Sequence, residues 1–260
     1  VTLFVVAALL APWLAPSDPR HVPTGLAAIT LRPPGPSHPL GTDALGRDLL
    51  SRVLYGGQVS LMVGVGVEIL VALIGTLIGL LAGYYGGWLD GLLMRITDVI
   101  MAFPSLILAI GLIAVFETPG LDKVFLVLVL LGWTTIARVV RGEVLSLRNR
   151  EYVLAARALG TGDGAILFRH LLPNCLAPIL VAATIGVGGN MVAEAGLSFL
   201  GLGAQSPTIS WGAMLAEGQT FLAVAPWVAV FPGLALLLAV LGVNLLGDGL
   251  RDLLDPRLKQ

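Results

Sequence analysis

The amino-acid sequence predicts an all-α, polytopic membrane protein with about six transmembrane helices. Apolar side chains make up 57% of the 260 residues and charged ones only 12%, about half the charged share of a soluble domain. Mean hydropathy is +0.93. Uncharged runs occupy 1–17, 69–89, 99–116, 124–137, 171–193 and 218–247. A helix needs about 20 apolar residues to cross ~30 Å of hydrocarbon, and most of these runs suffice once flanking residues are added. Backbone amides in lipid must pair within the chain, so apolar runs of this length mean helices. The alternation in segments of about ten residues expected of a membrane β-barrel is not visible. The composition excludes a cytosolic enzyme, a disordered tail and a nucleic-acid binder of the basic-patch kind. The single cysteine, Cys175, excludes a disulfide scaffold and a multi-cysteine metal site.

Helices are expected near 1–15, 58–83, 92–116, 124–142, 176–198 and 223–247. The first run has no basic n-region and no A-x-A site, so it reads as a truncated first transmembrane helix rather than a signal peptide. Residues 16–40 hold seven of the 16 prolines and read as an extended external connector. Thr42 can then cap an amphipathic helix from about Asp43 to Tyr55, with Leu45, Leu49, Val53 and Leu54 on one side. With six spans, ten of the 15 Lys and Arg residues fall on one side and five on the other. The positive-inside rule then places both termini and the 142–175 loop in the cytoplasm.

That loop is too elaborate for a linker. Residues 138–175 carry six arginines, and an apolar comb runs through Val144, Leu145, Val153, Leu154, Ala155, Ala156, Ala158 and Leu159. Gly160 and Gly162 interrupt the comb, and Ile166, Leu167, Leu171 and Leu172 resume a helix as far as Pro173. The pattern reads as helix, glycine turn, helix. Small alanines let another backbone approach closely, and the arginines suit a partner bearing carboxylates. The positive-inside signal explains the charges but not the alanines and glycines.

At this stretch the sequence resembles the permease subunits of type I ABC importers, whose signature is E-A-A-x3-G-x9-I-x-L-P. Ala155, Ala156, Gly160, Leu172 and Pro173 fit its spacing, while Leu154 replaces the glutamate and His170 the isoleucine. The departures match the variant of peptide importers, Y-V-x-A-A-R-A-x-G followed by R-H-x-L-P-N, over Tyr152 to Gly160 and Arg169 to Asn174. Three further motifs are similar to the C-type permease of dipeptide, oligopeptide and nickel importers. They are H-P-L-G-T-D-x-x-G-R-D-x-L-S-R from His38 to Arg52, S-F-L-G-L-G with S-W-G at Ser198 to Gly203 and Ser210 to Gly212, and N-L-L-G-D-G-L-R-D-x-L-D-P-R-L from Asn244 to Leu258.

The resemblance implies the type I ABC importer transmembrane fold with a cytoplasmic coupling helix. It divides the chain into the truncated helix 1–15, the external segment 16–57, a transmembrane core 58–247 with its coupling loop at 143–175, and a cytoplasmic tail 248–260. It implies a non-enzymatic pore subunit in a bacterial inner membrane. The expected partners are a second homologous permease, two ABC ATPase subunits and an extracytoplasmic binding protein that delivers short peptides. Nickel or glutathione-type cargo is the alternative. The ATPase-coupling residues would be Glu151, Ala155, Ala156, Arg157, Ala158, Leu159, Gly160, Thr161, Gly162 and Asp163. ATP and Mg would be bound by the ATPase subunits, with no cofactor in this chain. The residues agree with that division: neither Lys123 nor Lys259 lies in a G-x4-G-K-[ST] loop, and H-E-x-x-H and G-x-S-x-G are both missing.

Ionisable groups inside a membrane are costly and face the bundle or a cavity. Glu68 shares a helical face with Ala72, Gly75, Gly79 and Gly83, a small-residue ladder that suits a close helix contact. Asp98 lies one turn after Arg95, which suggests an i,i+3 pair. Glu194 shares a face with Ala183, Gly186 and Asn190, so Asn190 and Glu194 are candidates to line the translocation path, a buried hydrogen bond being the alternative for Glu194. An ion-gradient transporter titrating Glu68, Asp98 or Glu194 is a competing reading, but no internal repeat supports it. His21, His38 and His170 are scattered, and His38 before Pro39 suits a turn. Trp13, Trp88, Trp133 and Trp227 fit interfacial or packing roles, and Trp211 could instead contact a delivering protein.

Overall fold

The computed structural model describes residues 6, 8, 10–23 and 30–254. We number its helices α1 (Ala11–Leu14), α2 (Leu49–Tyr85), α3 (Gly87–Met101), α4 (Ser105–Ile113), α5 (Leu121–Leu147), α6 (Glu151–Ala158), α7 (Asp163–Phe199), α8 (Trp211–Gln219) and α9 (Trp227–Leu254). Among the described residues, α2, α5, α7 and α9 are long and apolar enough to cross a membrane, and the bent pair α3–α4 brings the number to at most five. The expected span 1–15 lies largely outside the described residues, as does the end of the expected tail, 255–260.

α2 is the axis of the bundle. Its 37 residues extend about 55 Å, well beyond the hydrocarbon thickness. It packs along α5 on one side and α7 on another, and α9 covers α7. The expected break between an amphipathic helix ending at Tyr55 and a span starting at 58 does not occur. Gly56 and Gly57 lie inside α2 and seat the Trp211 indole; a Cβ at Gly57 would stand 2.9 Å from that ring. The helix starts at Leu49 rather than Asp43, and Asp48, not Thr42, is its cap, accepting from Ser51 N at 2.8 Å.

The small-residue ladder of α2 faces α5. A Cβ on Gly75 would lie 2.6 Å from the Trp133 carbonyl oxygen, one on Gly79 2.6 Å from that of Ala137, and one on Gly83 2.8 Å from Val144 Cβ. Without side chains there, the two backbones touch. Around this seam Val71, Leu80, Ile136, Val140 and Val144 are buried.

Two prolines mark breaks in the regular helix: Pro104 bends its helix, as its position in the sequence suggests, and Pro173 does not end its own. The helix expected over 92–116 is broken by 88° between α3 and α4. Pro104 has no N–H to continue the ladder and sits extended at the start of α4 (φ −58°, ψ 121°). Pro173, expected to stop a helix, lies inside α7, which is wound as a π-helix over Ile166–Leu171 and as an α-helix from Leu172. The wider turn precedes the residue that cannot donate. The loop expected at 199–222 contains α8, capped by Ser210 Oγ, which accepts from Ala213 N at 3.3 Å.

Candidate functional site: a glycine elbow, a buried carboxylate pair and a terminal ion-pair knot

The elbow between α5 and α7 gathers all ten residues expected to couple to an ATPase. Val153 and Ala156 of α6 are buried against the bundle, while Glu151, Ala155, Arg157 and Ala158 are exposed and Leu159 is 86% exposed. The helix ends in a Schellman turn. Gly160 takes φ +78°, its N–H donates to the Arg157 carbonyl, and Thr161 N–H donates to that of Ala156. Gly162 then caps α7. The turn is tied to the end of α2, where Tyr84 Oη donates to Asp163 Oδ1 at 2.7 Å and the Arg157 guanidinium lies 5.3 Å from the Tyr84 ring centroid.

A Cβ on Gly160, Gly162 or Gly164 would meet nothing within 4 Å. The chain's own packing does not require these three glycines, in contrast to the α2 ladder. A left-handed φ requires the first of them; the other two are small on an open surface.

Besides Arg157, three of the six arginines of 138–175 donate hydrogen bonds within the chain. Arg138 Nη2 donates to Asp98 at 2.5 Å, Arg141 holds Asp90 through Nε at 2.5 Å and Nη2 at 2.7 Å, and Arg148 Nη1 donates to the Gly83 carbonyl at 2.9 Å. Asp98 therefore pairs across to α5 and not with Arg95, because the end of α5 runs beside α3 and sets Arg138 against Asp98 and Arg141 against Asp90. Arg148 satisfies a carbonyl left open at the end of α2.

Within the membrane, Asn190 and Glu194 do not form one site. Asn190 Nδ2 donates to Glu68 Oε2 at 2.8 Å. Glu194 is fully buried and accepts from Ser60 Oγ at 3.2 Å and Ser198 Oγ at 2.6 Å, so it joins α7 to α2. Glu68 is at a helix contact, as expected, but the contact is with α7. A Cβ on Gly186 would collide with its carboxyl group. Glu68 also lines a groove of about 720 Å³ between α2 and α7, running from Val65 to Leu80 on one wall and from Phe168 to Val187 on the other.

The motif His38 to Arg52 folds into a polar knot at the N-terminal end of α2. Asp43 is 1% exposed and accepts from Leu45 N, Arg47 N, Arg47 Nε at 2.6 Å and Arg52 Nη1 at 2.5 Å. Arg52, 2% exposed, also donates to both Glu217 oxygens, at 2.7 and 3.1 Å, so the knot clamps α8. His38 Nδ1 lies 2.9 Å from Asp48 Oδ1, which places it in the turn. Gly41 (φ +84°) packs so closely that a Cβ would stand 2.5 Å from the Arg32 carbonyl. Trp211 is 2% exposed and donates to the Val53 carbonyl at 2.9 Å, which rules out its reading as an exposed docking residue. Sequence reasoning missed Glu217, Asp90 and Arg141 as partners. No local spacing links residues 165 or 51 positions apart.

The comparisons agree with this architecture. Residues 75–260 match the family of binding-protein-dependent transport system inner membrane components. A glutathione transport system permease protein of Escherichia coli O6:K15:H31 (strain 536) is 48% identical over 261 residues, covering 100% of this chain and 84% of that protein. A dipeptide transport system permease protein of Alkalihalophilus pseudofirmus is 44% identical over 259 residues, covering 100% and 84%. An inward-facing MetNI methionine ABC transporter has the same fold, with a TM-score of 0.62 at 19% identity over 78% of this chain and 96% of that one. The chain therefore belongs to the binding-protein-dependent transport system inner membrane components, and is a multi-pass permease subunit of an ABC importer.

Proposed function

We propose that this chain is one half of a permease pair that moves short peptides into the cytoplasm. A homologous permease would complete the pore, two ABC ATPase subunits would bind and hydrolyse Mg-ATP, and an extracytoplasmic binding protein would deliver the cargo. Both termini and the elbow lie on the cytoplasmic side in this reading, following the excess of Lys and Arg there. Glutathione, itself a peptide and named for one relative, is the second cargo class, and nickel complexes come after it.

The observation that carries the coupling role is the elbow's surface. An exposed leucine, exposed alanines and three glycines without internal contacts form a smooth knob that a groove on another protein can enclose. Tyr84 and Asp163 tie the knob to α2, so a push on it is passed to the bundle as a rigid-body shift. The test is Gly160→Leu. The chain itself has space for the side chain, although φ +78° makes it cost about 1 kcal/mol. ATP hydrolysis should continue while peptide uptake falls at least about tenfold, the loss expected when a close contact worth ~1.4 kcal/mol is forfeited. Unaltered uptake and unaltered stimulated hydrolysis would show that the knob is not the coupling element.

A further inference from the structure

The elbow joins the bundle through two residues in extended conformation. Arg150 precedes α6 with φ −70° and ψ 148°, and Gly162 precedes α7 with φ −66° and ψ 150°. Regular helix stops at both, so each is a place where the short helix α6 and its turn can swing. The second joint is the freer one. It is a glycine, the residue with the widest range of backbone angles, and a Cβ on Gly162 or on Gly164 would meet nothing within 4 Å. Pressure on the exposed knob would be taken up by rotation there unless something spans the joint.

Tyr84 spans it. Its ring centroid lies 5.3 Å from the Arg157 guanidinium, before the joint, and its Oη donates to Asp163 Oδ1 at 2.7 Å, after it. Among the described residues, the polar contacts that run from 151–163 to another helix both end on this one side chain. Tyr84 is itself anchored. It is 7% exposed, in the last turn of α2. Gly83, before it, lies against Val144 and has its carbonyl held by Arg148 Nη1 at 2.9 Å, and the Tyr85 ring, after it, stands edge-on at 5.1 Å. Asp163 is in the first turn of α7, where the helix dipole favours a carboxylate.

We propose that Tyr84 is a positioning residue for transport, whose ring and hydroxyl brace the elbow across the Gly162 joint so that a displacement of the elbow reaches α2. The inference rests on the coupling reading above. The two halves of the brace are separable. Phenylalanine keeps the buried ring and its hold on Arg157, and loses only the bond to Asp163.

The test uses the assembled transporter, with its ATPase subunits, in proteoliposomes, and MgATP with vanadate as the trigger. Met62→Cys is the reporter: Met62 is 63% exposed and stands about 33 Å along α2 from Tyr84, while the native Cys175 is buried. With Tyr84 intact, trapping should change the rate at which a maleimide labels this thiol. In Tyr84→Phe that change should shrink about tenfold, the effect of losing one hydrogen bond to a charged group, while Leu159→Cys stays protected by the ATPase subunits. Asp163→Ala should shrink it equally, and the double variant should lose no more than either single one, because both remove the same bond. A merely structural role for Tyr84 would lower the yield of complex and leave the response of assembled complexes intact. Protected Leu159→Cys with a response in Tyr84→Phe within about twofold of the unaltered protein overturns this inference alone. So does a double variant whose losses multiply, or a Met62→Cys reporter that does not respond with Tyr84 intact. Leu159→Cys left unprotected by the ATPase subunits overturns the coupling reading and this inference with it.

Discussion

Replacing Gly79 by leucine tests how the bundle is held together. A Cβ at Gly79 would lie 2.6 Å from the Ala137 carbonyl and 2.7 Å from Val140 Cβ, against an ordinary contact distance of 3.4 Å or more. The backbone of α5 is thus about 0.8 Å too close for even the first carbon. Three more carbons have nowhere to go between two helices in contact, so α5 must move away from the seam. Overpacking of this kind costs about 3 kcal/mol, which lowers the melting temperature by roughly 6–12 °C for a chain of this size. Gly91 is the control: it is also helical, but a Cβ there meets nothing within 4 Å. Gly91→Leu should be neutral or slightly stabilising, since leucine has the better helix propensity. The assay is thermal unfolding of the assembled transporter in detergent. If Gly79→Leu melts within about 2 °C of wild type, or Gly91→Leu falls as far, backbone contact along α2 and α5 is not what holds the pair.

Asp43→Ala should remove most of the transporter from the membrane, because Arg52 is left buried with only Glu217; losing one partner of a buried pair costs about 3–5 kcal/mol, and immunoblotting of membranes reads the loss. Trp211→Ala should destabilise by a similar ~3–5 kcal/mol through the cavity left beside Gly56 and Gly57, measured as a melting shift, while affinity for the binding protein in the surviving complex stays unchanged. Asp98→Asn should cost at most about 1 kcal/mol, since its pair with Arg138 is half exposed, and thermal unfolding should separate it clearly from Asp43→Ala.

Most spans were legible because lipid leaves a chain few alternatives, and long uncharged runs form helices; the run 99–116 is the exception, broken by 88° at Pro104. The α2 glycine ladder was legible for a related reason, since three glycines at four-residue spacing make one smooth face. The elbow was legible from its alanines and glycines, although its Schellman turn was not singled out. What could not be read was anything decided by distant neighbours. Gly56 and Gly57 looked like a break until Trp211 was seen to fill the space beside them. Asp98 had a plausible local partner in Arg95, and only the course of α5 gives it to Arg138. Asn190 and Glu194 share a helix face, yet α2 presents Glu68 to one and Ser60 to the other. The knot of Asp43, Arg52 and Glu217 was present as a motif for two of its members, while the third lies in a loop where no helix was expected.

The proposed grip of an ATPase subunit on the elbow would enclose Leu159. Leu159→Cys reads this directly, because Leu159 is 86% exposed and the native Cys175 is buried and will not react. Maleimide labelling of Leu159→Cys should be fast in the permease pair alone and at least about tenfold slower once the ATPase subunits are bound, as a fully enclosed side chain requires. Equal labelling rates with and without the ATPase subunits would mean that no ATPase subunit encloses the elbow.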